Sequence, residues 1–110
     1  MNFYIADTIE TININDTNVA IDDDLLDYIY SLNKQIPLVN NFFYSLDPYD
    51  DSVIETENVS DIVRLFQYIL ELKLLKDYDE EEEAIETLGN MIEMGTKAIE
   101  KEKKLISIGD

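Results

Sequence analysis

Cysteine, histidine and tryptophan are absent from this 110-residue chain, and glycine and proline are scarce, at three and two. Each absence removes chemistry. Without cysteine there is no disulfide framework and no thiolate nucleophile. Without histidine there is no Ser-His-Asp triad and no imidazole ligand for zinc or haem. Three glycines do not make a phosphate-cradling loop. Positive charge is short too: eight Lys and Arg face 25 Asp and Glu, for a net charge of −17. A nucleic-acid interface built on clustered cations is therefore not expected. No apolar run approaches the roughly 18 residues of a membrane span. The opening Met1–Asp7 has neither the basic nor the apolar region of a secretory leader, so a cytoplasmic protein with no membrane contact is expected.

What is present is enough for a core. Hydrophobic residues make up 45% of the chain, including seven Tyr and four Phe. Their periodic spread argues against an acidic disordered segment, and the length suits a single domain over residues 1–110.

The elements follow from spacing. Residues 2–6 are rich in β-formers and predict a strand, and the partial alternation of 9–14 predicts its hairpin partner, with 19–21 extending the pairing. Asp22-Asp23-Asp24 precedes Leu25, Leu26, Ile29 and Leu32, a helical i, i+3, i+4, i+7 set ending near Asn33-Lys34. The three aspartates suit the capping and dipole needs of that helix start. The apolar run 41–46 predicts a buried strand, 47–51 a turn, and 52–54 a short extended piece. A second helix is expected from Asn58 or Ser60, on the stripe Val59, Ile62, Val63, Phe66, Ile69, Leu70 and Leu74. A third follows the acidic run 79–83, on Ala84, Ile85, Leu88, Met91, Ile92, Gly95 and Ile99; a glycine on that stripe predicts close approach of another element. Residues 105–108 predict a last strand. The sum is an α+β fold: a small, mainly antiparallel sheet of about four strands with three helices packed on it.

Charge is uneven along the chain. Residues 1–63 hold thirteen carboxylates and the single base Lys34, whereas 97–104 hold four lysines and two glutamates. Asp47, Asp50, Asp51, Glu55 and Glu57 are spaced closely enough to invite a Ca²⁺ or Mg²⁺ site, but they lack the array of an EF-hand loop, and a solvated turn with Asx-type hydrogen bonds explains them as well. With 25 carboxylates, a neighbouring pair is unavoidable and points to no acid–base reaction. No enzyme activity, cofactor or metal is expected. Tyrosine beside acidic residues instead suits a basic protein partner, because the ring gives rigid contact area and the acids pair with Arg or Lys. The residues expected to bind it are Asp47, Tyr49, Asp50, Asp51 and Glu55, with Asp22–Asp24 and Glu80–Glu83 behind them.

Two short motifs carry a resemblance. Leu46-Asp47-Pro48-Tyr49-Asp50-Asp51-Ser52 and Ile106-Ser107-Ile108-Gly109-Asp110 resemble a group of small bacterial proteins of unknown function. Those have an Asp-Pro-Tyr-Gly-Asp-Thr turn after a strand, two helices, and a terminal aromatic-Ile/Val-Gly-Asp. Here Asp50 replaces the glycine, Ser52 the threonine and Ser107 the aromatic, and the histidine common near the end is missing. The resemblance covers residues 41–110 and implies no catalytic residues. In size, acidity and want of catalytic groups the chain is also similar to bacterial immunity proteins, the inhibitors of secreted toxins. The expected function is thus a non-enzymatic acidic binding module that occludes a basic partner, such as a nuclease toxin. The alternative is a homo-oligomeric structural or regulatory protein, suggested by Leu72 and Leu75 lying off the main stripe of the second helix.

Overall fold

The computed structural model describes residues 1–12, 17–37 and 41–109. Strand β1 (Asn2–Ala6) is followed by β2 (Val19–Ala20), helix α1 (Asp23–Ser31), β3 (Ser52–Ile54), α2 (Thr56–Glu71), α3 (Glu81–Glu100) and β4 (Lys104–Ile108). The sheet is antiparallel throughout, in the order β2-β1-β4-β3. This is the expected α+β fold of four strands and three helices. β1 and β4 form its centre, with Tyr4 opposite Ile106 and Ile5 opposite Leu105. Period-two alternation sends Phe3, Ile54 and Leu105 into one cluster with Leu25, Leu26 and Ile29 of α1, Ile62, Phe66 and Ile69 of α2, and Leu88 and Met91 of α3. Among the described residues, no helix is long and apolar enough to cross a membrane.

The four strands fall on segments expected to be extended, but two other segments expected as strands are turns where they are described. Ile9–Thr11 is a 3-10 turn, with Ile12 N–H donating to the Ile9 carbonyl, so β1 pairs instead with Val19 and Ala20. The rest of the 9–14 segment, Ile12 apart, lies outside the described residues. Phe42–Ser45 is also a 3-10 turn, where a strand over 41–46 was expected. The reason is Asn41. Its Oδ1 accepts from Phe43 N–H at 3.0 Å and its Nδ2 donates to the Asp61 carbonyl at 2.7 Å. The Asp61 carboxylate in turn accepts from Phe42 N–H at 2.7 Å. These bonds satisfy the backbone within the turn and against α2, leaving no need for a ladder.

Helix boundaries follow backbone accounting. Asp22 caps α1, its Oδ1 accepting from Leu25 N–H at 2.8 Å, as expected. α2 begins at Thr56, ahead of the expected Asn58 or Ser60, because Glu55 already has extended dihedrals and its carbonyl accepts from both Asn58 and Val59 N–H. α2 and α3 both end in a Schellman motif. Leu74 N–H donates to the Ile69 carbonyl and Lys73 N–H to Leu70; Lys103 and Glu102 repeat the pattern on Ala98 and Ile99. The reversal after α2 returns Leu75 to the core at 1% exposure, so of the two leucines read as a second apolar face only Leu72 stands outside, 53% exposed.

The residues at the turning points are Lys73 (φ 54°) and Glu102 (φ 55°), both left-handed without being glycine. An L-residue there costs about 1–2 kcal/mol, which glycine avoids. Lys73→Gly and Glu102→Gly are each expected to raise stability by roughly 0.5–1 kcal/mol in urea unfolding.

The two helical glycines should respond in opposite directions. A Cβ on Gly89 meets nothing within 4 Å, so Gly89→Ala should stabilise α3 by about 1 kcal/mol. A Cβ on Gly95 would lie 2.5 Å from Cγ2 of Val63 and 3.3 Å from Cγ1 of Val59. This is the close approach expected from the sequence, made by α2. Valine is stiff at χ1 and cannot swing away, so Gly95→Ala should be net destabilising despite its gain in helix propensity. Thermal melting of the two variants side by side checks both signs.

Candidate functional site

The loop 47–51 leaves the 3-10 turn Phe42–Ser45 and enters β3. Pro48 fixes its own φ, and the Asp47 carboxylate accepts from Tyr49 N–H at 2.9 Å while its carbonyl accepts from Asp50 N–H at 3.2 Å. β3 pairs with β4, Ser52 opposite Ser107, which delivers Gly109 to the loop. The Asp51 carboxylate accepts from Gly109 N–H at 2.9 Å. A Cβ on Gly109 would lie 2.5 Å from both Asp50 N and Tyr49 C, backbone atoms that cannot be pushed aside cheaply. The two motifs, far apart in sequence, are therefore one contact: a glycine seated on an aspartate-rich turn.

Of the five residues expected to bind a partner, three have local bonds. Asp47 holds its own turn, Asp51 holds Gly109, and Glu55 pairs with Lys104 at 3.5 Å. Tyr49 projects outward with 75% of its surface exposed, and Asp50 is exposed beside it. Among the described residues the side chains of these two make no hydrogen bond or ion pair.

Four other tyrosines serve the fold. Tyr28 donates its hydroxyl to the Leu74 carbonyl at 2.9 Å, and its ring lies 5.0 Å from that of Tyr78. Tyr30 donates to the Leu46 carbonyl at 3.1 Å, tying α1 to the segment that leads into the loop. Tyr44 packs against Tyr30 and Phe43. Burial raises the hydroxyl pKa of all four, Tyr28, Tyr30, Tyr44 and Tyr78, above the ordinary value.

Nearby carboxylates add to three of these shifts and trace an acidic face. Tyr78 feels Asp22, Glu80, Asp24 and Asp79; Tyr28 feels Asp77 and Glu81; Tyr30 feels Asp47 and Asp27. The start of α1 and the segment before α3 thus meet, and the face continues past Asp27 toward the loop. Asp27 and Asp77 are members that sequence reasoning did not single out. Asp27 had a signal, lying one turn after Asp23 on the polar side of α1. The meeting of 22–24 with 77–83 has none, since the two are joined only by tertiary packing.

Crowding on this face has a measurable consequence. The Glu80 carboxyl is held above its ordinary value of 4.5, first by a hydrogen bond to Glu83, then by the charge of Glu83, and further by Asp22 and Asp24. A carboxyl raised in the folded state binds its proton more tightly than in the unfolded chain. It therefore favours folding at low pH, and that contribution is lost as pH rises through the raised value. Glu80→Gln, which keeps a donor toward Glu83 and removes the charge, should raise the urea midpoint at pH 7. The gain should shrink on acidification and vanish below the ordinary value of 4.5. A gain that persists unchanged at low pH would contradict this origin.

Among the described residues, no group of three or more Asp and Glu is arranged to hold a metal ion. Compared with known proteins, the chain matches no family, no curated relative and no solved structure.

Proposed function

We propose that this chain is a non-enzymatic, acidic protein-binding module of the cytoplasm. In this reading it is a toxin-neutralising immunity protein that occludes a basic surface such as a nuclease active site. The observation that carries the reading is Tyr49, 75% exposed at the tip of a loop held from both sides by Asp47 and Asp51. A large aromatic on a pre-ordered loop loses little entropy on binding, which is how an interface anchor gains affinity. The acidic face around it would steer a basic partner and speed its capture at low salt. The bacterial resemblance fits this reading without adding a catalytic group to it.

A pull-down from native lysate at low salt tests the proposal. A basic protein retained in equal proportion and released by salt supports it; retention of none, or of a partner indifferent to salt, counts against it. The second reading, a homo-oligomer, is favoured by Leu72 and Ile85, exposed by 53% and 45% around the α2–α3 connection. Light scattering at high protein concentration separates the two, since the module binds its partner as a monomer and the oligomer shows at least twice the monomer mass.

A further inference from the structure

Three of the eight cations of the chain, Lys97, Lys101 and Lys103, stand at a cleft by the C-terminal part of α3, and none of the residues of the acidic face lines it. β2 has only two residues, pairing with Asn2 and Phe3, so among the described residues nothing in the sheet flanks Ile5 on that side. α3, twenty residues long, runs on past this short edge. The result is a cleft of about 720 Å³ between α3 and the sheet, extending from Asn90 to Lys101. That is within the roughly 300–1,000 Å³ of small-molecule sites.

Its floor is apolar, formed by Ile5, Val19 and Met94, and its rim carries Lys97, Lys101 and Lys103. Three of the eight cations of the chain thus line one cleft, and Glu93 is its single acid among the described residues. Two of the lysines suit the negative end of the α3 dipole, which accounts for Lys97 and Lys101. It does not account for Lys103, which the left-handed turn at Glu102 brings back to the same rim. Lys97 pairs with Glu93 and Lys103 with Asp7, each at 3.1 Å, but all four side chains are about half exposed. Such pairs are worth about 0.2–1 kcal/mol and yield readily to a better-placed anion. Lys101 has no ion pair among the described residues.

We propose that this cleft binds a small amphipathic carboxylate, its chain on Ile5, Val19 and Met94 and its head among Lys97, Lys101 and Lys103. The apolar floor supplies most of the affinity and the lysines select for the anion. The site is separate from the acidic face and does not depend on the function proposed for it.

Amide-resolved NMR titration with decanoate, and with decanol as its uncharged counterpart, tests this. Decanoate should give saturable shifts centred on Ile5, Val19, Met94 and Lys97. Decanol should bind at least about tenfold more weakly, a difference of about 1.4 kcal/mol. The double variant Lys97→Gln/Lys101→Gln, confirmed as folded by its melting temperature, should bring decanoate down to the level of decanol. Tyr49→Ala should bind decanoate as the parent does. Equal binding of the two compounds, shifts scattered over the surface, or an unaffected double variant would each overturn the proposal.

Discussion

Phe43→Ala is expected to cost about 3–5 kcal/mol, the range for losing a fully buried phenylalanine. Phe43 has no exposed surface and its ring lies 5.0 Å from Phe66 and 5.7 Å from Tyr30, so it joins α2 to α1. Against a total stability of about 5–15 kcal/mol, such a loss is a large fraction. The effect should reach the loop, because Phe43 anchors the 3-10 turn from which the loop departs. Hydrogen-exchange protection at Tyr49 and Gly109 N–H, both bonded to loop aspartates, should fall more than the global change alone requires. The neighbouring Phe42 is only half-buried, and Phe42→Ala should cost clearly less. A loss below about 1 kcal/mol for Phe43→Ala would contradict the packing described.

Tyr49→Ala should behave in the opposite way. With 75% of its surface exposed and its hydroxyl unbonded among the described residues, it should change stability by no more than about 0.5 kcal/mol. In binding, truncation of an anchor costs about 2 kcal/mol or more, which is roughly 30-fold in affinity. Asp50→Asn should act mainly on association rate, lowering it at low salt and flattening its salt dependence, as removal of a steering charge does. The pair of variants therefore separates contact from steering.

The fold was legible where local chemistry decides it. The apolar stripe of α2 and the Asp22 cap are set by residues within a few positions of each other, and Gly95 was readable from its place on the apolar stripe of α3. It was not legible where a distant group decides. An apolar run such as 41–46 reads equally as a strand or a turn; what selects the turn is Asp61, twenty residues on, bonding Asn41 and Phe42. The candidate loop was readable as a turn, but the roles inside it were not. Only the pairing of β3 with β4 brings Gly109 onto Asp51, turning that acid into a structural bond and leaving Tyr49 and Asp50 as the free surface.

The most direct test of the binding account is a parallel low-salt capture with the parent chain and with Tyr49→Ala/Asp50→Asn, the affinity of the recovered partner then being measured at two salt concentrations. The account predicts a basic partner held by the parent, weakened by salt, and bound at least about 30-fold less tightly by the variant. A partner that the variant binds as well as the parent would contradict it.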